Sequence, residues 1–328
     1  MHFLPDELIE AAAEGDPRVL AELDARGMIA APGESAAEFA HRLRTLRENL
    51  AELRRALDED GEIRVGGLRL RREQTIPPDL FEEAGAVTDR LYGFRVDWVP
   101  GFFVDPRASW LFGGCAYFQH PDWLALFIIR RSFVKRQRWL IYRRDELIAH
   151  ELCHVARAGL GSSVFEEHLA YRSSKSRFRR VVGPVVRRPV ESYALLGCSF
   201  LLLAVQVARV TALPGLAIIP FWCLLGGVVA FLVARLQHER RVLRTATANV
   251  EALFPGHGDH AVCRLTDQEL GALARCRTRE QTEEQLPRDL RTQVMRRRFS
   301  TNNAEAREDS ALSSPSDGNE RCIQGVKG

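Results

Sequence analysis

The sequence predicts an α+β protein: a small mixed sheet packed on two helices that carry a site, followed by a membrane-spanning helical hairpin. Three observations lead there. Apolar residues recur at helical spacing through most of positions 1–60. Short alternating or continuously apolar runs follow between 61 and 129, as expected of strands. Two long stretches almost free of charge lie close together beyond position 189.

Composition bounds the function. The chain has 328 residues, with 46 Lys and Arg against 43 Asp and Glu and a net charge of +3. That balance gives no electrostatic footprint for binding nucleic acid. With 46% hydrophobic and 27% charged residues, wholesale disorder is excluded, and the length suits about two domains. The cysteines at 115, 153, 198, 223, 263, 276 and 322 include no CxxC pair. An odd, scattered set argues for a reducing compartment over a disulfide scaffold. The opening MHFLPDELIEAAAEGD is acidic and has no apolar core, so a cleaved signal peptide is not expected.

Residues 1–60 read as a helical region. Asp6 is positioned to cap a first helix, and Gly27 ends that unit. From Ser35 to Leu57, Phe39, Leu43, Leu46, Leu50, Leu53 and Leu57 form a heptad seam. An amphipathic helix packed on its own domain is the first expectation for 35–57, and a homodimer through the seam is the second. GEIRVGGLRLRRE at 61–73 is expected to form a hairpin around Gly66-Gly67. Asp79 and Glu82 make a capping box for a helix that stops at Gly93. Phe94–Val99, Gly114–Gln119 and Leu124–Ile129 are the expected strands, with a loop at 100–113. A helix over 145–158 with Asp145 as its cap and a second starting near Ser163 complete a domain at 61–180.

Residues 190–210 and 213–234 are apolar, and the second run is about 33 Å long as a helix. That exceeds the roughly 30 Å hydrocarbon layer, so 190–234 is expected to be a transmembrane hairpin in a lipid bilayer. Arg172, Lys175, Arg177, Arg179, Arg180, Arg187 and Arg188 precede it, and Arg235, Arg240, Arg241 and Arg244 follow it, against Arg209 alone in the turn. The positive-inside rule puts both termini in the cytoplasm, and the arginine-rich composition suits a bacterial inner membrane. The basic run at 172–188 has a competing use, gripping anionic headgroups. Residues 235–298 read as a helical cytoplasmic module with a capping box at Thr266/Glu269, and 299–328 as a disordered tail.

The chemistry lies in His150-Glu151-Leu152-Cys153-His154. Positions i and i+4 share a helical face, so both imidazoles can reach one metal. Glu151 can reach a water on that metal without binding the ion itself. The motif arises by chance in about 2% of chains of this composition, so its surroundings decide its weight. Leu147, Ile148, Leu152 and Val155 supply an apolar stripe that buries the helix on a sheet. Arg143, Arg144, Asp145 and Arg157 flank the motif, which keeps it out of the lipid. In the next segment Ser163 and Glu166 are spaced as a capping box, which leaves Glu167 free to point elsewhere.

An H-E-x-x-H helix followed by a second helix with Glu-x-x-Ala, here Glu167 and Ala170, resembles the gluzincin group of zinc metallopeptidases. The resemblance covers about 145–171. It implies a zincin-like domain, Zn2+ held by His150, His154 and Glu167, Glu151 as the catalytic base, and a peptide or protein substrate. Two departures stand out. Only twelve residues separate His154 from Glu167, and Tyr171 stands where related families place an Asp that orients a ligand. Tyr171 is a second catalytic candidate, as an oxyanion donor, beside the plainer expectation of a packing Tyr. His168 is expected at the surface or behind the ligands, Cys153 in packing, and His257 and His260 on a solvent-facing loop. The alternative to a membrane-anchored peptidase is an inactive zincin-fold scaffold or regulatory protein.

Overall fold

The computed structural model describes residues 4–65, 67–105, 113–119, 124–140, 142–187 and 189–300. Of the tail expected at 299–328, residues 301–328 lie outside them and Phe299 is instead a buried helical residue; 106–112 of the loop expected at 100–113 also lie outside. Among the described residues the structure is mostly helical with three small sheets.

The N-terminal region holds α1 (Asp6–Ala13), α2 (Pro17–Ala25) and α3 (Ala36–Glu59). Asp6 does not cap α1; it lies inside the helix and pairs with Arg47 of α3 at 2.5 Å. Asp16 caps α2 through the Arg18 and Val19 amides, with Pro17 at the first helical position. Ser35 and Glu38 form a reciprocal capping box on α3. Every seam residue of α3 is buried within the chain itself. Phe39, Leu43, Leu46 and Leu50 join the main core, while Leu53 and Leu57 join a smaller one. A dimer through 35–57 would have to displace these contacts.

The expected hairpin forms as β1 (Glu62–Val65) and β2 (Leu68–Arg71), antiparallel. The helix α4 (Pro78–Tyr92) ends at Gly93 in the left-handed conformation, φ 68°. Its N-cap is Pro77, so the capping box expected from Asp79 and Glu82 is absent: Pro78 at the first helical position begins the helix one residue before Asp79. The central sheet contains β3 (Gly101–Val104), β4 (Gly114–Gln119) and β5 (Leu124–Arg130) in the order β3-β5-β4, with β3 parallel and β4 antiparallel to β5. Alternation along β5 serves two cores: Ala125, Phe127 and Ile129 face the main one, Leu126 and Ile128 the smaller.

Phe94–Val99 is not a strand. It runs past the end of α2, where the Arg95 amide donates to the Ala25 carbonyl and the Trp98 indole to the Arg26 carbonyl. Its apolar residues Phe94, Val96, Trp98 and Val99 are buried, but its backbone has no strand partner. The ladder instead forms at Gly101–Val104, inside the segment expected as a loop.

A two-residue ladder, β6 (Arg138–Trp139) and β7 (Tyr142–Arg143), leads into α5 (Arg144–Arg157), followed by α6 (Glu166–Ala170) and α7 (Arg177–Val182). Asp145 sits in the first turn of α5 instead of capping it, held by Arg143 and Lys175. Next come α8 (Pro189–Thr211) and α9 (Ile219–Glu251). Both are long and apolar enough to span a membrane, and only 11% of each apolar window is buried by the chain, unlike core helices. The second begins at Ile219, six residues later than its apolar composition implied, because 212–218 forms the connection around Pro214-Gly215. It also runs unbroken for 33 residues through the boundary expected at 234/235.

The last helices are α10 (Gly258–Val262), α11 (Asp267–Leu273), α12 (Arg279–Gln285) and α13 (Leu290–Phe299). They do not form a separate module. Val262, Leu265, Leu270, Val294 and Met295 belong to the same core as Ile9, Leu23 and Leu43. Arg264, wholly buried, donates to Asp24 of α2 at 2.9 and 2.8 Å and to the Tyr92 and His260 carbonyls at 2.9 and 2.6 Å. Arg298 adds a second contact to Asp24. Burial works to raise the Asp24 pKa, but these two guanidiniums outweigh it and hold the carboxyl below its ordinary value. Its stabilising contribution is therefore present above the unfolded-state pKa of about 3.9 and lost as pH falls below it. Arg264→Met is expected to cost about 3–5 kcal/mol, because it strips a partner from a buried charge. Denaturant unfolding of the purified variant measures it.

Candidate metal centre

Local sequence places the first two groups. The apolar stripe Leu147, Ile148, Leu152 and Val155 is buried, which turns His150 and His154 towards one side of α5. Their Nε2 atoms lie 3.2 Å apart. A short turn at Ala158–Leu160, with Gly161 left-handed at φ 61°, reverses the chain within the twelve-residue interval. Glu167 then meets both histidines, with Oε2 3.5 Å from His150 Nε2 and Oε1 3.5 Å from His154 Nε2.

These separations test a metal directly. A tetrahedral ion about 2.0–2.1 Å from each ligand has ligand–ligand edges of about 3.3–3.4 Å. The His150–His154 edge, 3.2 Å, is close to that value; Glu167 meets the two imidazoles through different oxygens, and one donor atom from each of the three residues lies within 4.8 Å of the others, so the set is compact enough to close on such an ion. Among the described residues this is the cluster of His, Cys, Asp or Glu able to hold a metal.

The supporting contacts differ from the sequence expectation. Ser163 and Glu166 do not form a capping box. The Asp267 carboxylate, at the start of α11, accepts the Ser163, Val164 and Phe165 amides at 2.6, 2.7 and 3.0 Å. The loop's donors are thus satisfied from a hundred residues away, and Glu166 is released. It meets His154 Nδ1 at 3.3 Å and accepts from Arg157 Nε at 2.9 Å. Arg157 is itself 1% exposed and donates to the Cys263 and Leu265 carbonyls. His150 is hydrogen-bonded to the Ala170 carbonyl. Each histidine therefore has a partner that fixes its ring, a role that no residue had been given from sequence.

Tyr171 packs edge-on to His150, ring centroids 4.6 Å apart. Gly183 lies against the Tyr171 ring, where an added Cβ would come within 2.5 Å, so only glycine lets the chain pass there. Burial, then the Glu167 carboxylate, pushes the phenol up to about 12, which keeps it a proton donor. Glu151 is buried, and its carboxylate accepts the Ala116 amide of β4. Burial pushes it up to about 7; His154 opposes and Glu167 adds to the rise. Burial and the neighbouring His154 charge pull His150 down to about 3. Burial opposes charge on His154 too, yet Glu166 and Glu167 prevail and raise it to about 10.

Four other residues that sequence singled out stand outside this cluster. His168 is buried, not at the surface, and pairs with Glu239 of α9 at 2.9 Å. Cys153 is buried beside Cys263. His257 and His260 contact each other at 3.0 Å and pack on Phe299, so they form a half-buried pair and not a solvent-facing loop.

Comparison with protein-family models, curated proteins and solved structures finds no match for this chain. The geometry therefore carries the functional argument. Glu166→Gln, which keeps a hydrogen-bonding oxygen near Arg157, is expected to weaken zinc binding by about 10–100-fold. Competition with a chelator of known affinity measures it.

Proposed function

We propose that this chain is a membrane-anchored, zinc-dependent metallopeptidase of gluzincin type with a zincin-like catalytic domain. The observation that carries the proposal is the cluster of His150, His154 and Glu167, with one donor atom from each within 4.8 Å of the others and the two imidazole Nε2 atoms 3.2 Å apart, and with the buried Glu151 carboxylate next to the first histidine in the chain. When bound there, zinc supplies Lewis-acid polarisation of a carbonyl and lowers the pKa of a water towards 7.

The protein groups then have distinct tasks. Glu151, with a pKa raised to about 7, accepts the proton of the attacking water and returns it to the leaving amine. Glu166 and the Ala170 carbonyl hold the two imidazoles in place. Tyr171, protonated throughout the neutral range, is the candidate donor to the developing oxyanion. A peptide or protein substrate lies along β4, the sheet edge whose Ala116 amide contacts Glu151.

The anchor is α8 with α9. They are antiparallel neighbours, so the segments before 189 and after 235 share one side of the bilayer. The arginines on that side make it cytoplasmic, in a bacterial inner membrane by preference.

Zinc analysis and a peptide-cleavage assay on purified wild type, Glu151→Gln and Glu167→Ala test the proposal. Wild type is expected to hold about one zinc per chain, in line with a single three-ligand site. Glu151→Gln keeps the metal and loses about 10²–10⁴ in turnover, the usual share of a general base. Glu167→Ala loses the metal. Undiminished cleavage by Glu151→Gln, or zinc unaffected by Glu167→Ala, contradicts the assignment.

A further inference from the structure

The helix α7 leaves its apolar face uncovered. Phe178, Val181 and Val182, spaced at i, i+3 and i+4, are 69%, 46% and 40% exposed. Arg177 and Arg180 are exposed beside them, and neither meets a carboxylate among the described residues. A soluble domain gains nothing from presenting these apolar side chains to water.

The depth of α7 is fixed by α9. Arg240 donates to the Arg180 and Val181 carbonyls at the end of α7. Arg240 lies five residues beyond Arg235, the first charge after the apolar run, which is about 7.5 Å along the helix axis. The polar headgroup zone on each side of a bilayer is about 5–8 Å deep. With α8 and α9 in the membrane, α7 is thus held at headgroup level, and Val190 and Tyr193 in the first turns of α8 are exposed as well. Apolar side chains next to unpaired arginines at that depth are the composition of an interfacial anchor.

We infer that α7 is an interfacial helix that docks on an anionic bilayer surface. Phe178, Val181 and Val182 enter the headgroup–acyl boundary, and Arg177 and Arg180 bind lipid phosphates. The inference rests on the proposed membrane hairpin but not on catalysis. It also bears on the metal centre. Arg179, on the opposite face of α7, donates to Glu146 of α5 at 2.8 Å, and its guanidinium lies over the Tyr142 and Tyr171 rings. Lipid contact on one face of α7 therefore steadies the wall of the site on the other.

The test is photocrosslinking of the full chain in nanodiscs made of equal parts phosphatidylcholine and phosphatidylglycerol. p-Benzoylphenylalanine replaces Phe178, or Leu203 in the middle of α8, or the exposed Glu284 of α12. Lipid adducts are expected at 178 and 203 but not at 284. Those at 178 should be several-fold richer in phosphatidylglycerol than those at 203, and Arg177→Gln with Arg180→Gln should remove the enrichment. Adducts at 203 without adducts at 178, or adducts at 178 of bulk lipid composition, overturn the inference and leave the hairpin standing. No adducts at 203 overturns the membrane hairpin itself, and the inference with it.

Discussion

Three consecutive backbone N–H groups, at Ser163, Val164 and Phe165, point to one carboxylate, that of Asp267. The site depends on this contact. A chain that reverses between two helices leaves donors that must be satisfied, and a local side chain is the common solution. Here the partner comes from a helix a hundred residues on. The local carboxylate, Glu166, is thereby free to orient His154, while Glu167, next to it, faces both imidazoles. One remote carboxylate thus divides the work of two adjacent ones.

The same logic explains why the C-terminal helices belong to the body that carries the site. Arg157 leaves the motif helix and finds its acceptors at Cys263 and Leu265, so the end of α5 and the start of α11 are tied twice. Arg264, one residue away, turns in the other direction and reaches Asp24 in α2. His168 reaches Glu239 on α9, where Arg187 and Arg235 also converge and where Arg235 in turn binds Glu191 of α8. A continuous set of ion-pair and hydrogen-bond contacts therefore runs from the base of the apolar hairpin to the helix carrying Glu167. Each member is partly or wholly desolvated, so loss of one partner leaves a costly unpaired charge.

What was legible in the sequence was what depends on short-range periodicity. The i, i+4 spacing of His150 and His154 needs only a helix, and the two apolar runs declare themselves by length and lack of charge. The second helix was expected near Ser163, and left-handed Gly161 gives the turn that brings its Glu167 back to the histidines. What was hidden depends on partners far along the chain. Glu166 looked like a cap because Ser163 stands three residues before it, and nothing local reveals Asp267. Phe94–Val99 and Gly101–Val104 are similarly apolar; the choice between them is made by β5, which pairs with the second. The seam of α3 suited a partner helix as well as it suited the core that received it. The continuity of α9 was masked by a change of composition at Arg235 that leaves helical geometry untouched.

Whether His150, His154 and Glu167 close on one ion is read by X-ray absorption spectroscopy of the zinc-loaded protein. A site built from these three residues gives a first shell of nitrogen and oxygen only, at about 2.0–2.1 Å, with the outer-shell signal of two imidazoles. A sulfur scatterer at about 2.3 Å, the distance of a zinc thiolate, or the absence of imidazole signal, would contradict it.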